Sequence, residues 1–298
     1  MYGNADRALL LYVTFDTMNL RQKIILAYFR IKIRAIQLFS SSAAAKEAYR
    51  IFCSPFQADP GNLARVFAGA QKSDFLWNGL NISGYCVNPA GNKKLLLLHG
   101  FNSNCNKFSH YVAPAVEKGY CVFAFDAPAH GYSDGKRING MDYARFIISL
   151  SGKFGSFQSF ISHSFGGLAV CLALEQMNIP ANTKLVLIAP ATETTSAVND
   201  AFKKLGINST RVRDQFNRLI LSIAGHPVSW FSVRRAIKNF KADVLWIHDY
   251  DDQVTPIKDA LAVKDDGHPN IRFIFTHRLG HNKIYRTPEQ IAEVMAFL

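Results

Sequence analysis

Short, almost continuously apolar runs recur from about residue 75 onward and alternate with segments of helical length. Runs such as KLLLLH, YCVFAFD and KLVLIA lack polar alternation, which is typical of strands that are buried on both faces of a sheet. Strands that alternate with helices indicate βαβ units, so the sequence predicts an α/β fold with a mostly parallel, doubly wound sheet. The predicted strands are 82–87, 94–99, 120–126, 157–162, 184–189, 244–248 and 271–275, and the predicted helices lie near 107–118, 139–152, 164–177 and 257–264.

The N-terminal residues 1–57 differ from the alternating pattern and are predicted to form a helical extension, with Met18 as an alternative start of the chain. Within 18–38 there are basic residues but no acidic ones, and an apolar face lies beside a basic stripe. Such a helix either packs on the main domain with its charges in water or makes a peripheral membrane contact over anionic headgroups. The apolar face comprises Leu20, Ile24, Ile31, Ala35 and Leu38, and the basic stripe comprises Lys23, Arg30 and Arg34.

The composition excludes several classes of protein. The net charge of +12 favours anionic surfaces, but no RNA-binding signature, zinc finger or arginine-rich run accompanies it, so no nucleic-acid partner is expected. The five cysteines are scattered and form no CxxC pair or Cys/His cluster, so we expect buried thiols in a reducing compartment and no metal site. No apolar stretch approaches the roughly 20 residues of a membrane span, so a cytoplasmic location is expected.

The sharpest local motif is ISHSFGG at residues 161–167, which follows a predicted strand and opens a predicted helix. A nucleophilic serine needs exposure above the sheet, and a sharp turn from strand to helix provides it. Such a turn needs small residues two positions before and after the serine; Gly166 meets the second requirement, and Ser162 replaces the usual glycine at the first. Ser164 is therefore a candidate nucleophile, although motifs this short also arise by chance.

A second motif, LLLLHGFNSN at residues 95–104, places a loop of small polar residues directly after a buried strand. Such a loop can aim backbone N–H groups at one point, as stabilisation of an oxyanion requires. The candidate donors are the N–H of Phe101 and that of Phe165, just after the candidate nucleophile. His99, at the end of the strand, is interpreted as a structural, hydrogen-bonded histidine rather than a base.

Candidate acids and bases follow the last two predicted strands. Asp249, Asp251 and Asp252 lie in VLWIHDYDDQVTP (244–256), where one carboxylate could hold an imidazole in the correct tautomer. Asp252 is favoured, Asp251 is held in reserve, and the other aspartates would be loop or helix-capping residues. His281, in the loop after the last strand, is the candidate base, and His277 is the weaker candidate.

The order serine, aspartate, histidine across a parallel α/β pattern resembles the α/β-hydrolase superfamily over roughly residues 75–298. The similarity is closest to the bacterial esterase, lysophospholipase and serine-aminopeptidase-like branch. The motifs that carry it are HGF at 99–101, FDAPAHGYSDG at 125–135, SHSFGG at 162–167, HDYDDQVTP at 248–256 and RLGH at 278–281.

This resemblance implies Ser164 as nucleophile, Asp252 as acid and His281 as base, with no cofactor or metal. It also implies that Phe101 and Phe165 supply the oxyanion donors. Asp126, at the end of another strand, would belong to a structural loop. The family usually has glycine where Asp249 stands, which leaves open which aspartate meets the histidine.

The resemblance also frames the domain organisation. The hydrolase domain would span 58–298, and the helical interval at about 191–241 is too long for a simple crossover. We predict that this interval is a cap over the active-site edge, with helices at 197–205, 211–224 and 230–240.

The expected function is cleavage of a carboxylic ester, and thioester or amide cleavage would use the same three residues. A membrane-associated lysophospholipase and a non-catalytic binding protein of this fold remain alternatives. An aminopeptidase would need acidic cap residues, and the cap offers mainly Glu193, Asp200 and Asp214. The aromatic residues that either line an acyl pocket or only pack the core are Phe101, Phe108, Trp230 and Phe231.

Overall fold

The computed structural model describes residues 20–55, 61–180 and 182–298. Within these ranges, eight strands form one sheet and two further strands form a separate hairpin. The strands are β1 (Gln71–Lys72), β2 (Phe75–Trp77), β3 (Leu80–Ile82), β4 (Gly84–Val87), β5 (Lys93–Leu98), β6 (Tyr120–Phe125), β7 (Ser159–His163), β8 (Lys184–Ile188), β9 (Asp243–Asp249) and β10 (Ile271–Thr276).

The large sheet confirms the predicted α/β class. Its strand order is β1-β4-β6-β5-β7-β8-β9-β10; the pairs from β6 to β10 are all parallel, whereas β1 and β4 pair antiparallel at one edge. Leu96 and Leu98 of β5 face one apolar core, and Leu95 and Leu97 face the other. Because parallel strands end at the same edge, the loops after β5, β7, β9 and β10 meet there.

The predicted strand 82–87 is divided in the structure. Leu80–Ile82 pairs with β2 in the hairpin, whereas Gly84–Val87 pairs with β6 of the main sheet. The hairpin turns at Asn78 and Gly79, whose φ angles of 48° and 77° are typical of a two-residue hairpin loop. An Asn-Gly pair is the sequence signal of such a hairpin, and the predicted strands did not include this hairpin.

Helices contribute to both apolar cores, so the sheet is covered on both faces. Short 3-10 turns at Cys105–Phe108, Val228–Trp230 and Ile237–Asn239 supplement them. The helices are α1 (Leu20–Phe39), α2 (Ser41–Phe52), α3 (Arg65–Ala68), α4 (Ser109–Glu117), α5 (Gly140–Phe154), α6 (Phe165–Leu174), α7 (Thr194–Leu205), α8 (Thr210–Ala224), α9 (Val233–Ala236), α10 (Ile257–Asp265), α11 (Gly280–Lys283) and α12 (Pro288–Phe297).

The segment predicted as a cap, residues 191–241 (the cap segment), contains α7, α8 and α9. The predicted helix 230–240 is wrong, because this stretch consists of 3-10 turns around the four-residue α9. Its backbone pairs with the segment that opens α7: the N–H of Thr194 donates to the carbonyl of Phe231 over 3.1 Å. A backbone that pairs with another segment cannot continue a helix.

The helices α1 and α2 pack against α7 and α8 of the cap segment. The hydroxyl of Ser40 accepts a bond of 3.2 Å from the N–H of Ala43 and thereby caps α2. Nε of Arg30 donates to the carbonyl of Lys204 over 2.7 Å, which ties α1 to the end of α7. The buried residues are Ile25, Leu26, Phe29 and Ile33 of α1 and Ala44, Ala45, Ala48 and Ile51 of α2.

The division of the chain at residue 57 stays a prediction. Residues 1–19, which include Met18, and 56–60 lie outside the described residues. The described part of the N-terminal segment shares one apolar core with the cap segment and the sheet. Across the three described ranges, no helix is both long and apolar enough to cross a bilayer.

Candidate active site

The sharp turn at Ser164 joins β7 to α6. Ser164 has φ 54° and ψ −119°, a conformation that residues other than glycine rarely adopt. At Gly166 a Cβ would lie 2.6 Å from the carbonyl oxygen of Leu98, so only glycine lets α6 approach β5 this closely. The turn places the serine hydroxyl at the edge of the sheet where the parallel strands end.

Ser162, which stands where the family usually has glycine, is fully buried in β7. Its hydroxyl donates to the carbonyl of Val186 on β8 over 2.9 Å. A buried hydroxyl is costly only when it lacks a partner. The neighbouring strand supplies that partner, so serine is accommodated at this position.

Three side chains from separate motifs lie in one hydrogen-bonded chain. Nε2 of His281 is 2.9 Å from Oγ of Ser164, and Nδ1 of His281 is 2.8 Å from Oδ2 of Asp252. These hydrogen bonds are shielded from water, because the Asp252 side chain is 0% exposed and that of His281 is 9% exposed. An imidazole at the serine hydroxyl and a carboxylate at the opposite ring nitrogen are the arrangement that nucleophilic catalysis by serine requires.

Asp252 also accepts bonds from the loop that follows it. The N–H groups of Val254 and Thr255 donate to Oδ1 over 2.7 and 2.9 Å, and the Thr255 hydroxyl donates to Oδ2 over 2.8 Å. Burial by itself would raise the pKa of Asp252, but the contact with His281 and these hydrogen bonds lower it to about 2. The carboxylate is therefore ionised at neutral pH and can hold the imidazole in one tautomer.

The other two aspartates of this loop have structural contacts. Asp249 accepts a bond of 2.7 Å from the hydroxyl of Thr276 and one of 3.1 Å from the N–H of Leu279. Burial raises the pKa of Asp249, but its hydrogen bonds outweigh this effect and lower it. Asp251, the reserve candidate for the acid, accepts a bond of 2.8 Å from the N–H of Arg278. Both carboxylates thus fix the loop that follows β10.

Thr255 is a site residue that sequence reasoning missed. Its hydroxyl donates to Asp252 and lies 3.3 Å from Nδ1 of His281. Its carbonyl oxygen lies 2.9 Å from Nε2 of the buried His248, so its own backbone is fixed as well. The only available signal was its position three residues after Asp252, within hydrogen-bond reach of a turn.

His163 is a second such residue, directly before the serine in the motif. Its Nε2 donates to the carbonyl of His281 over 2.9 Å, and its ring lies 4.6 Å from the His281 ring and 4.4 Å from that of Tyr285. Burial, followed by the charge of His281, holds the pKa of His163 well below its usual range. A neutral His163 therefore fixes the backbone that carries His281.

The two candidate oxyanion donors lie on either side of the serine turn. Phe165 is the first residue of α6, and N–H groups in the first turn of a helix have no acceptor within the helix. Phe101 follows β5 by way of Gly100, whose added Cβ would lie 2.9 Å from Cβ of Ser164. The Phe101 and Phe165 rings are 5.5 Å apart, edge to face. Both residues are thus neighbours of Ser164.

The remaining histidine candidates lie elsewhere. Nε2 of His99 accepts from the N–H of Ala127 over 2.9 Å, and Nδ1 lies 2.8 Å from the carbonyl of Gly100. Burial lowers the pKa of His99, so this histidine is the structural, hydrogen-bonded residue that the sequence indicated. His277 is exposed and stacks on Tyr250 with the ring centroids 4.7 Å apart.

Asp126 also has a structural environment. Its Oδ1 accepts from the N–H of Cys105 over 2.8 Å, and its Oδ2 accepts from the N–H of Tyr132 over 2.9 Å. These bonds join the loop after β5 to the loop after β6. The carboxylate therefore holds two loops together, as the resemblance implied.

A cavity of about 880 Å³, part of it open to solvent, adjoins Ser164. Its walls come from α2, the loops after β5 and β9, the serine turn and the cap segment. None of the lining side chains carries a charge at neutral pH. They are Tyr49, Phe52, Cys53, Phe101, Ile138, Asn139, Gly140, Ser164, Phe165, Leu168, Ala191, Thr194, Ala197, Ile220, Ala224, Phe231, Val254 and Thr255.

Two of the four aromatic residues proposed for the pocket do line it. Phe101 and Phe231 contribute to its wall. Phe108 does not, because it is buried in the core on the other face of the sheet and stacks on Tyr285. Trp230 instead stacks on His226, with the ring centroids 3.9 Å apart. Composition indicated the aromatic residues but not the face of the sheet on which each one packs.

The cysteines and the possible metal ligands complete the description of the reactive side chains. All five cysteines are buried thiols. Within residues 20–55, 61–180 and 182–298, no group of three or more His, Cys, Asp or Glu side chains is arranged to hold a metal ion.

The parallel sheet, the serine turn and the adjoining chain of histidine and aspartate define an α/β-hydrolase. Residues 90–250 match the family model described as "Serine aminopeptidase, S33", and this match covers more than half of the chain. The chain belongs to this family of hydrolases. No curated protein matches the sequence significantly.

Solved structures show the same fold at low sequence identity. An esterase from Pyrococcus furiosus is 18% identical, with a TM-score of 0.60 over 83% of this chain and 97% of that one. A predicted CIB-like hydrolase from Thermoplasma acidophilum is 17% identical, with a TM-score of 0.56 over 77% of this chain and 97% of that one. A membrane phospholipase A described as a bacterial virulence factor is 16% identical, with a TM-score of 0.58 over 93% of this chain and 98% of that one.

Proposed function

We propose that the protein is a serine hydrolase that cleaves carboxylic esters with an apolar acyl group through an acyl-enzyme. The observation that carries this proposal is the hydrogen-bonded chain from Asp252 through His281 to Ser164, which opens on an apolar cavity. The family consists of hydrolases, and the two distances are those expected for a serine activated by a histidine.

In the proposed reaction, Oγ of Ser164 attacks the ester carbonyl while Nε2 of His281 takes its proton. Asp252 stabilises the imidazolium through Nδ1. The oxygen of the tetrahedral intermediate lies against the N–H groups of Phe101 and Phe165. His281 then protonates the leaving alkoxide, and a water molecule that His281 deprotonates hydrolyses the acyl-enzyme to the carboxylic acid and free serine.

The cavity supports an apolar acyl group over a peptide substrate. An aminopeptidase must bind a substrate ammonium group, which in a shielded site needs a carboxylate partner. None of the cap carboxylates considered for this task lines the cavity. Glu193 accepts a bond from Ser232, Asp200 pairs with Lys204 over 2.6 Å, and Asp214 is exposed. Thioesters and amides with apolar acyl groups use the same chemistry and are the alternatives that a substrate panel separates.

A fluorophosphonate probe tests the nucleophile directly, because it reacts only with an activated serine. We expect one covalent adduct in the intact mass of the wild type and none in Ser164→Ala, which should also lose about 10⁶-fold in kcat. Ser162→Ala is the matched control, because its hydroxyl faces β8, and it should keep the adduct. A folded wild-type protein without an adduct would contradict the proposal and favour a non-catalytic binding protein.

A second candidate function is hydrolysis of acyl lipids at a membrane surface, which α1 supports. Leu20, Ile31 and Leu38 are 74%, 67% and 84% exposed on this helix, although its opposite face is buried. Lys23 and Arg34 are exposed on the same helix, which contains no acidic residue. An exposed apolar stripe beside basic side chains is typical of a helix that lies on anionic lipid.

Vesicle binding distinguishes this candidate. We expect the full chain to sediment with vesicles that contain anionic phosphatidylglycerol, less so with neutral phosphatidylcholine, and the double variant Ile24→Glu with Ile31→Glu to lose this binding. Leu76→Glu is the control, because Leu76 is 69% exposed but lies on β2. Equal binding by the double variant and the wild type would rule out the α1 contact.

We also propose a cytoplasmic location, because all five cysteines are thiols.

A further inference from the structure

The end of α2 lines the same cavity as Ser164, although α2 lies outside the residues that match the family model. We propose that Tyr49, Phe52 and Cys53 form a wall of the acyl site and that Phe52 limits the length of the acyl chain. This inference rests on the proposed ester hydrolysis. It assigns a substrate-selecting role to a segment that carries none of the catalytic motifs.

Contacts on two sides hold this wall in place. On the side of the cap segment, the rings of Tyr49 and Phe52 pack edge to face on Phe216 of α8, with centroids 6.2 and 6.4 Å apart. On the side of α5, the N–H of Ile138 donates to the carbonyl of Cys53 over 2.9 Å. Ile138 itself lines the cavity, so the wall is continuous with the neighbouring loop.

Contacts with α1 fix the rest of α2. Glu47 lies 2.8 Å from Nζ of Lys32 on α1 and 2.6 Å from a guanidinium nitrogen of Arg50. Buried alanines at positions 44, 45 and 48 bring the helix close to its neighbours. A wall that is anchored at both ends cannot easily withdraw to admit a longer chain.

Phe52 is the residue whose substitution isolates the effect of volume. Tyr49 accepts a bond of 3.4 Å from Nδ2 of Asn139, so its replacement would also remove a polar contact. Burial raises the pKa of the Cys53 thiol to about 12, so Cys53 is a neutral, unreactive part of the wall. The Phe52 side chain offers only apolar surface, and its size sets how many methylene groups the cavity accepts.

Two substitutions should therefore shift substrate preference in opposite directions. Phe52→Ala enlarges the cavity, and Phe52→Trp reduces it. One methylene group in an apolar pocket changes kcat/KM by about tenfold or more. We expect the ratio of kcat/KM for p-nitrophenyl dodecanoate over butyrate to rise at least about tenfold in Phe52→Ala and to fall at least about fivefold in Phe52→Trp.

Phe154→Ala is the matched control. Phe154 is also a partly buried aromatic residue at the end of a helix, but it packs on Phe75, Phe123 and Phe125 and does not line the cavity. Its truncation should lower the melting temperature and leave the ratio for long and short esters unchanged. A ratio that shifts in Phe154→Ala as it does in Phe52→Ala would mean that loosened packing, not the wall, sets the preference.

The two proposals can fail separately in this experiment. If wild type, Phe52→Ala and Phe52→Trp all hydrolyse esters and show the same preference for acyl-chain length, the role of α2 is overturned. The proposed function stays intact in that case. Neither ester turnover nor fluorophosphonate labelling in the folded wild type would overturn the proposed function, and the acyl wall with it. Opposite shifts of the ratio in Phe52→Ala and Phe52→Trp, with no shift in Phe154→Ala, support the wall.

Discussion

The serine turn and the end of α2 both line one cavity, but the sequence specifies them in different ways. At the turn, the residues that matter are adjacent in the sequence. Ser164 adopts the strained φ angle, and Gly166, two positions later, permits the close approach of α6 to β5. The helices α1 and α2 contain no such motif, and their position follows from apolar packing on the cap segment. The difference indicates that adjacent residues specify the turn of the proposed nucleophile, whereas the shape of the cavity depends on tertiary packing.

After Ser164→Ala, the substitution with the largest expected effect on activity is the replacement of the Asp252 carboxylate. Asp252→Asn should lower kcat by about 10⁴-fold, because the amide no longer holds the imidazole in the required tautomer. Kinetics with a short-chain ester at neutral pH measure this loss.

Asp251→Asn is the control, since Asp251 bonds to the backbone of Arg278. It should stay within about threefold of wild type, the range expected when only a surface contact is lost. A large loss in Asp251→Asn with normal activity in Asp252→Asn would reverse the assignment of the acid.

Gly166→Ala tests whether close approach at the turn is essential. The added Cβ would lie 2.6 Å from the carbonyl of Leu98 and 2.7 Å from that of His99, so the backbone must shift. A displacement of about 1 Å at the nucleophile costs on the order of 10² in rate, and we expect a loss of that size in kcat/KM.

Gly152→Ala provides the comparison, because a Cβ there meets no atom within 4 Å and the residue lies inside α5. It should retain full activity and gain about 0.5–1 kcal/mol of stability from its higher helix propensity. If Gly166→Ala is as active as Gly152→Ala, the turn tolerates a side chain and the local argument is wrong.

Much of the sheet could be predicted because its strands are buried on both faces. The runs at 120–126 and 184–189 extend one residue beyond the ends of β6 and β8, and the run at 94–99 is shifted by one residue relative to β5. The helix predicted at 230–240 failed because helical periodicity does not show that its backbone pairs with another segment. The Asn-Gly pair at 78 and 79 is a local signal for the hairpin of β2 and β3, which the predicted strands leave out.

The site shows the same division. Ser164, Asp252 and His281 follow predicted strands, so the topology alone brings their loops to one edge. His163 and Thr255 act through bonds to a carbonyl and a carboxylate that only the folded chain brings close. Phe52 lies 112 positions before Ser164, and no spacing rule connects them. Contacts between distant segments are the part that a single sequence does not specify.

The pKa of Asp252 gives a prediction about stability rather than rate. Its folded value of about 2 lies below the ordinary value of 3.8, so the folded protein binds this proton more weakly than the unfolded chain. The resulting stability is complete above about pH 5 and is lost as the pH falls towards 2. Between these values the free energy of unfolding should fall by about 2 kcal/mol more in wild type than in Asp252→Asn, as urea titrations can measure. Parallel pH profiles would show that the carboxylate is not held in its ionised form.

Glu47→Gln tests how the packing of α2 against α1 contributes to stability, and it has the smallest expected effect. Glu47 pairs with Lys32 and Arg50, and although its burial favours the protonated form, these partners lower its pKa. Because the two cations are about one third exposed, removal of the charge should lower the free energy of unfolding by only about 1 kcal/mol. Hydrolysis of p-nitrophenyl acetate should not change, since the proposed catalytic residues lie on other elements. A variant that unfolds like the wild type but no longer hydrolyses p-nitrophenyl acetate would show that α1 and α2 position the proposed catalytic residues. The contrast between the serine turn and the end of α2 would then be wrong.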